Sequence, residues 1–134
     1  MNSAELYFFM PWKGLMLQKY TGSCHCGAVK IFFESEPITK GLRCNCSICV
    51  RKGALMSPEP VPPENFHINA SEASLGMYQF GIKTAKHYFC KHCGIYTFHE
   101  TARKIGYLRA NLGCVDGIDT VALECDMFDG KNLL

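Results

Sequence analysis

The sequence predicts a mainly β fold with few or no long helices. Short stretches alternate apolar and polar residues with a period of two, whereas no window of a dozen residues carries an apolar stripe at 3.6-residue spacing. Four of the six prolines crowd into "SPEPVPPENF", an irregular connection that no central strand accommodates. At 134 residues, 48% hydrophobic and 19% charged, the chain is one domain's worth and too apolar for disorder. A globule of that size buries roughly two-thirds of its unfolded surface, enough for a real core.

Along the chain, "MNSAELYFFMPWKGL" (residues 1–15) reads as a leader, either disordered or an upstream start, and 16–134 as a single domain. "AVKIFFESE" sets Val29, Ile31 and Phe33 against Lys30, Phe32 and Glu34, the pattern of a half-buried strand. A short helix fits Ser47 to Ala54, and the proline-rich stretch follows as a surface connection. "HYFC" and "GIYTFHE" are aromatic and β-branched strand text on either side of a tight turn, and "IGYLRANLG" is a further strand candidate. "TVALECDMF" alternates Val121, Leu123, Cys125 and Met127 against Ala122, Glu124, Asp126 and Phe128, which predicts a last half-buried strand.

Charge and targeting features exclude several function classes. The net charge of +2 comes from scattered Lys and Arg with no basic run, so nothing favours a nucleic-acid partner. The N-terminal text has no positive n-region, carries Glu5, and is broken by Pro11 and Lys13 well short of a membrane span. Nine cysteines in a chain without a secretory signal, and an odd number at that, fit a disulfide framework poorly. A cytoplasmic protein whose reduced thiols serve as metal ligands is expected.

The thiols sort by spacing. "CKHCG" (Cys90 to Gly94) is a zinc-knuckle signature: two thiolates two residues apart converge on one ion, backbone N–H groups point at sulfur, and the glycine takes a left-handed conformation. "SCHCGAV" offers a second half-site, Cys24 and Cys26. Two half-sites make a closed four-sulfur structural zinc. A thioredoxin-like reading of the C-x-x-C is disfavoured by its β context. His25 and His92 lie inside the motifs as fillers, and His67, His87 and His99 read as packed or surface histidines. "CNCSIC" is different: Cys44, Cys46 and Cys49 can face one ion, and three ligands with an open position suit a catalytic zinc. An exogenous thiol there would lose its proton. Cys114, Cys125, an Asp or a His could instead close this site and make it structural. Cys114 and Cys125 read best as small packed residues.

"GSCHCGAV", "CNCSICVRKGALM", "HYFCKHCGIYTFH", "NLGCVDGI" and "DMFDGKN" together resemble, in order and spacing, the glutathione-dependent formaldehyde-activating enzyme family, which also contains centromere protein V. The resemblance implies a fold of several coiled β-sheets related to the Mss-four-like zinc proteins. It also implies a structural zinc on Cys24, Cys26, Cys90 and Cys93 and a catalytic zinc on Cys44, Cys46 and Cys49. The family's founding pattern has His where this chain has Asn45, a position that orients a ligand without being one. The activity implied is that of a carbon–sulfur lyase of the S-(hydroxymethyl)glutathione synthase type, with glutathione and an aldehyde as partners. The alternative is a non-catalytic zinc module that binds a small thiol or a protein. Arg51 and Lys52, just after the trio, are candidates to meet glutathione carboxylates.

Overall fold

A computed structural model of the chain describes residues 17–82 and 84–134; the expected leader, 1–15, lies outside the described residues. Strands β1 (Gln18–Ser23), β2 (Lys30–Ser35) and β4 (Phe66–Asn69) form one antiparallel sheet in the order β1-β2-β4. Strands β5 (Leu75–Tyr78), β6 (Lys86–Cys90), β7 (Tyr96–Glu100) and β8 (Leu108–Ala110) form a second, and β3 (Gly41–Cys44) pairs in parallel with β9 (Cys125–Phe128). The described helices are short: α1 (Ser47–Lys52), α2 (Gly130–Leu133) and two single 3-10 turns. The fold is therefore mainly β, and no described helix is long and apolar enough to cross a membrane.

The alternation in β2 decides the core. Val29, Ile31 and Phe33 are buried while Lys30 and Phe32 are exposed. Phe33 stacks on Tyr20 of β1 and on Phe66 of β4, each at 5.3 Å between centroids. Phe66 tilts against Phe98 of β7 at 5.5 Å, and Phe98 stacks on Tyr88 of β6 at 4.6 Å. This row of five rings crosses from the first sheet to the second. Each fully buried ring contributes roughly 1.5–3 kcal/mol through apolar burial, which is what holds two twisted sheets face to face.

Two expectations are corrected. The proline-rich stretch is irregular as expected but only partly at the surface: Ser57 and Val61 are buried, and Val61 exchanges both backbone hydrogen bonds with Leu108, at 2.7 and 2.9 Å. Its prolines flank Val61 without occupying it, so the one N–H that β8 needs is kept. The strand expected over "TVALECDMF" begins only at Cys125, with Val121 exposed and Cys125 itself exposed rather than packed. β9 pairs through its backbone with a single parallel partner, so alternation there does not report a buried face.

Met56 ties the small sheet to the rest, bridging Leu42 of β3 on one side and Asn111, just past β8, on the other. That bridge sets the end of β3, and the cysteines that follow it, beside the second sheet.

Candidate metal centres and the cleft beside them

Cys24 directly follows β1 and leads into the turn that holds Cys26, Cys90 ends β6 and Cys93 lies in the turn to β7. Their four sulfurs lie within 4.8 Å of one another, with Cys24 to Cys26 at 3.7 Å and Cys26 to Cys90 at 3.6 Å. A tetrahedral zinc with Zn–S bonds of about 2.3 Å has S–S edges of about 3.8 Å, so the donor set fits that ion. Gly27 (φ 83°) and Gly94 (φ 77°) take the left-handed turns that fold the backbone around the sulfurs. The N–H groups of Val29 and His92 then donate to Cys24 Sγ and Cys90 Sγ, each at 3.3 Å. The backbone N–H groups of Cys26 and Ile95 pull the Cys93 thiol down to about 6, which favours the thiolate a metal requires. His92 bonds Ser74 Oγ through Nε2 at 3.0 Å, and His25 is exposed; neither joins the sulfurs.

Cys44, Cys46 and Cys49 form the second group, their sulfurs also within 4.8 Å of one another. Cys44 ends β3, Cys46 caps the start of α1, and Cys49 lies in its first turn. Six residues of helix are not stable alone, so the ends of α1 must hold it: Gly53 closes it in a left-handed conformation (φ 63°), with its N–H on Cys49 O at 3.1 Å. Burial opposes ionisation of Cys46, but the Cys49 and Ile48 backbone N–H groups and the neighbouring thiols pull it down. Burial pushes Cys49 up to about 12, the adjacent Cys46 adding to this and Lys52 opposing it.

The end of the chain supports this trio. Asn45 Nδ2 donates to Asp129 Oδ1 at 2.9 Å, and Asn45 Oδ1 accepts from the backbone N–H of Lys131 at 2.8 Å. The Asn132 and Asn45 amides hold the Asp129 carboxyl below its usual range. A Cβ at Gly130 would stand 2.5 Å from Cys44 Sγ. Among the described residues, no fourth His, Cys, Asp or Glu reaches within 4.8 Å of all three sulfurs. Cys114 is buried elsewhere, its Sγ on Tyr96 O at 3.6 Å and its thiol pushed up to about 11 by burial.

A cleft of about 880 Å³ opens beside the trio. Leu42, Ile48, Met56, Phe80 and Phe128 supply much of its apolar wall; among the described residues, the Lys, Arg, Asp and Glu side chains that line it are Arg103, Lys104 and Arg109, with no Asp or Glu. Arg109 is fixed by the proline-rich stretch, donating to Ser57 O at 2.9 Å and Pro58 O at 2.6 Å; Arg103 stands 4.7 Å over the Phe128 ring.

Arg51 and Lys52 part company. Arg51 folds back on its own helix to donate to Ser47 O at 2.7 Å. Lys52 turns inward, its Nζ 2.7 Å from His87 Nδ1 and 3.7 Å from the centroid of the Tyr96 ring. Burial pulls Lys52 down to about 8, against the trio's thiolates, which raise it. His87 and His99 are cross-strand partners on β6 and β7, and both line the cleft. Burial, then Lys52, pulls His87 down to about 4. His99 pairs through Nδ1 with the Tyr96 hydroxyl, and burial holds the imidazole well below and the phenol well above their ordinary values. From the sequence these two histidines read as packed or surface residues, although a hairpin with Cys90 and Cys93 at its tip sets them side by side. Nothing in the sequence signals Arg103, Lys104 and Arg109 as a group.

The family model of the glutathione-dependent formaldehyde-activating enzyme matches residues 19–130. A crystal structure of a Rhodobacter sphaeroides protein is similar to this chain at 32% identity and a TM-score of 0.71, covering 81% of this chain and 99% of its own. The matched span begins in β1 and ends at the glycine packed under Cys44, so it takes in both sulfur clusters and the β-sheets that position them. The chain belongs to the glutathione-dependent formaldehyde-activating enzyme family.

Proposed function

We propose that the domain spanning 16–134 joins glutathione and formaldehyde into S-(hydroxymethyl)glutathione, or cleaves that adduct, in the reducing cytoplasm. The observation that carries the reading is the trio opening on a cleft where, among the described residues and apart from the trio itself, the charged side chains are all cationic. Cys24, Cys26, Cys90 and Cys93 would hold a structural zinc, and Cys44, Cys46 and Cys49 a second one. Zinc at the trio would supply an electrophilic position that takes a thiol as its thiolate.

The chain's own residues do the rest. Arg103, Lys104 and Arg109 suit the two carboxylates of glutathione, and Arg109 is pre-positioned by two carbonyls rather than free to swing. The apolar wall of Leu42, Ile48, Met56 and Phe128 suits a small uncharged aldehyde beside the thiol. A free thiol near pKa 8.5 is only a few per cent ionised at neutral pH, so holding it as thiolate beside the aldehyde gains roughly tenfold before orientation counts.

Exchange spectroscopy on formaldehyde plus glutathione, with and without zinc-loaded protein, tests the reading. Faster interconversion of free and adduct signals, lost in Cys46→Ser, is expected. Glutathione binding without faster exchange would make the chain a non-catalytic thiol-binding module.

A further inference from the structure

Among the described residues, His87 Nε2 is the buried side-chain nitrogen or oxygen left without a hydrogen-bond partner. The residue is only 6% exposed, and it lines the same cleft as the three sulfurs of the trio. Buried polar atoms are satisfied in the great majority of cases, and an unpartnered one on a ring that lines a ligand-sized cleft points to a ligand atom as its partner.

We infer that His87 Nε2–H is the hydrogen-bond and proton donor to the oxygen of the bound aldehyde, with Lys52 behind it fixing the tautomer and supplying the proton. This rests on the reading of the trio as the thiol site and adds a catalytic residue to it. The tautomer follows from the partner. An ammonium has only hydrogens to offer, so at 2.7 Å His87 Nδ1 must accept from Lys52, and the neutral ring carries its hydrogen on Nε2. The Tyr96 ring 3.7 Å from Lys52 Nζ favours the charged lysine. Phe80 stacks on the imidazole at 5.9 Å and His99 tilts against it at 5.6 Å, which holds the ring in place. Lys52 is the last residue of α1, one turn beyond Cys49, so the same six-residue helix carries a sulfur and the base of the donor chain.

The step balances without an oxidant or reductant. The thiolate sulfur forms a bond to the carbonyl carbon, and the C=O π pair moves onto oxygen. That oxygen takes the Nε2 proton while Nδ1 takes one from Lys52 Nζ, and the amine is reprotonated from solvent. The groups facing Lys52 are His87, Tyr96 and the thiolates of Cys44, Cys46 and Cys49. Adduct cleavage runs the same transfers backwards.

The test uses zinc-loaded protein labelled with ¹⁵N-histidine. Long-range proton–nitrogen spectra should show His87 neutral with hydrogen on Nε2, and that resonance should move when formaldehyde joins glutathione but not with glutathione alone. Lys52→Met should bring in the Nδ1–H tautomer. His87→Phe should slow adduct exchange about a hundredfold with glutathione still bound, and His87→Gln, which keeps an N–H near the same place, should recover part of it. If His87→Phe does not fold, the wild-type spectra decide alone. Accelerated exchange with a silent His87 resonance, or an Nδ1–H tautomer in the free protein, overturns the inference and leaves the proposed function standing. A formaldehyde-dependent shift without any acceleration of exchange overturns both the proposed function and the proton transfer, leaving His87 only as a hydrogen-bond donor to the bound aldehyde.

Discussion

Asn45 and Asp129, 84 residues apart, meet in a 2.9 Å hydrogen bond that ties the trio's loop to the end of the chain. The parallel pairing of β3 with β9 makes the meeting possible, since it sets Cys44 opposite Phe128 and starts α2 beside the sulfurs. Asn45 thus positions the two thiols on either side of it, Cys44 and Cys46, which are the proposed metal ligands. Groups that orient metal ligands are typically worth ten- to a hundredfold in affinity. Asp129→Ala should therefore weaken metal retention at the trio by at least about tenfold and leave the four-sulfur site unchanged, as read by chelator competition with metal analysis.

Gly130 makes a sharper version of the same point. An added Cβ would lie 2.5 Å from Cys44 Sγ and 3.1 Å from Cys46 Cβ, so one sulfur must move. Gly130→Ala should fold normally by circular dichroism but bind one metal ion tightly instead of two. Full retention of both ions would show that the trio tolerates displacement.

The two metals should leave at different chelator concentrations. The four-sulfur site joins residues such as Cys26 and Cys90, 64 positions apart, and so is coupled to folding, whereas the trio lies within one short segment. Titration should remove one ion with the fold intact. Cys90→Ser should be insoluble or molten, and Cys46→Ser folded. Loss of both ions together with the circular dichroism signal would contradict this.

Acid should expose the burial of His87. Its folded pKa of about 4 lies below the ordinary 6.5, so the unfolded chain takes up a proton that the folded one refuses. The stability cost is absent above about pH 6.5 and grows as pH falls toward 4, reaching about 2 kcal/mol near pH 4.5. His87→Gln should remove that share, so urea melts at pH 7 and pH 4.5 should show the wild type losing about 2 kcal/mol more than the variant. Parallel losses would mean that His87 is not buried as a neutral ring.

What the sequence shows and what it hides divide along physical lines. The knuckle was legible because it is local: two sulfurs, a turn and a left-handed glycine within five residues. The Val29, Ile31 and Phe33 face was legible because a covered sheet enforces period two. The same periodicity misled at Cys125, where pairing is through the backbone of a two-stranded ribbon whose second strand is largely exposed. Val61 was hidden among prolines because its burial depends on a bridge to Leu108, 47 positions on. Lys52, His87 and Arg109 were hidden for a related reason: their roles come from a helix end, a hairpin and an irregular loop converging on one cleft. Hairpin register alone could have paired His87 with His99.

Whether the trio accepts a thiol is the central claim, and cobalt substitution measures it most directly. With cobalt at Cys44, Cys46 and Cys49, adding glutathione should change the sulfur-to-metal charge-transfer band, while S-methylglutathione, which cannot ionise at sulfur, should leave it nearly unchanged. That contrast is expected in the wild type, and its loss in Cys46→Ser. A band indifferent to every thiol would mean a closed site, and would make "CNCSIC" a second structural staple rather than the reaction centre.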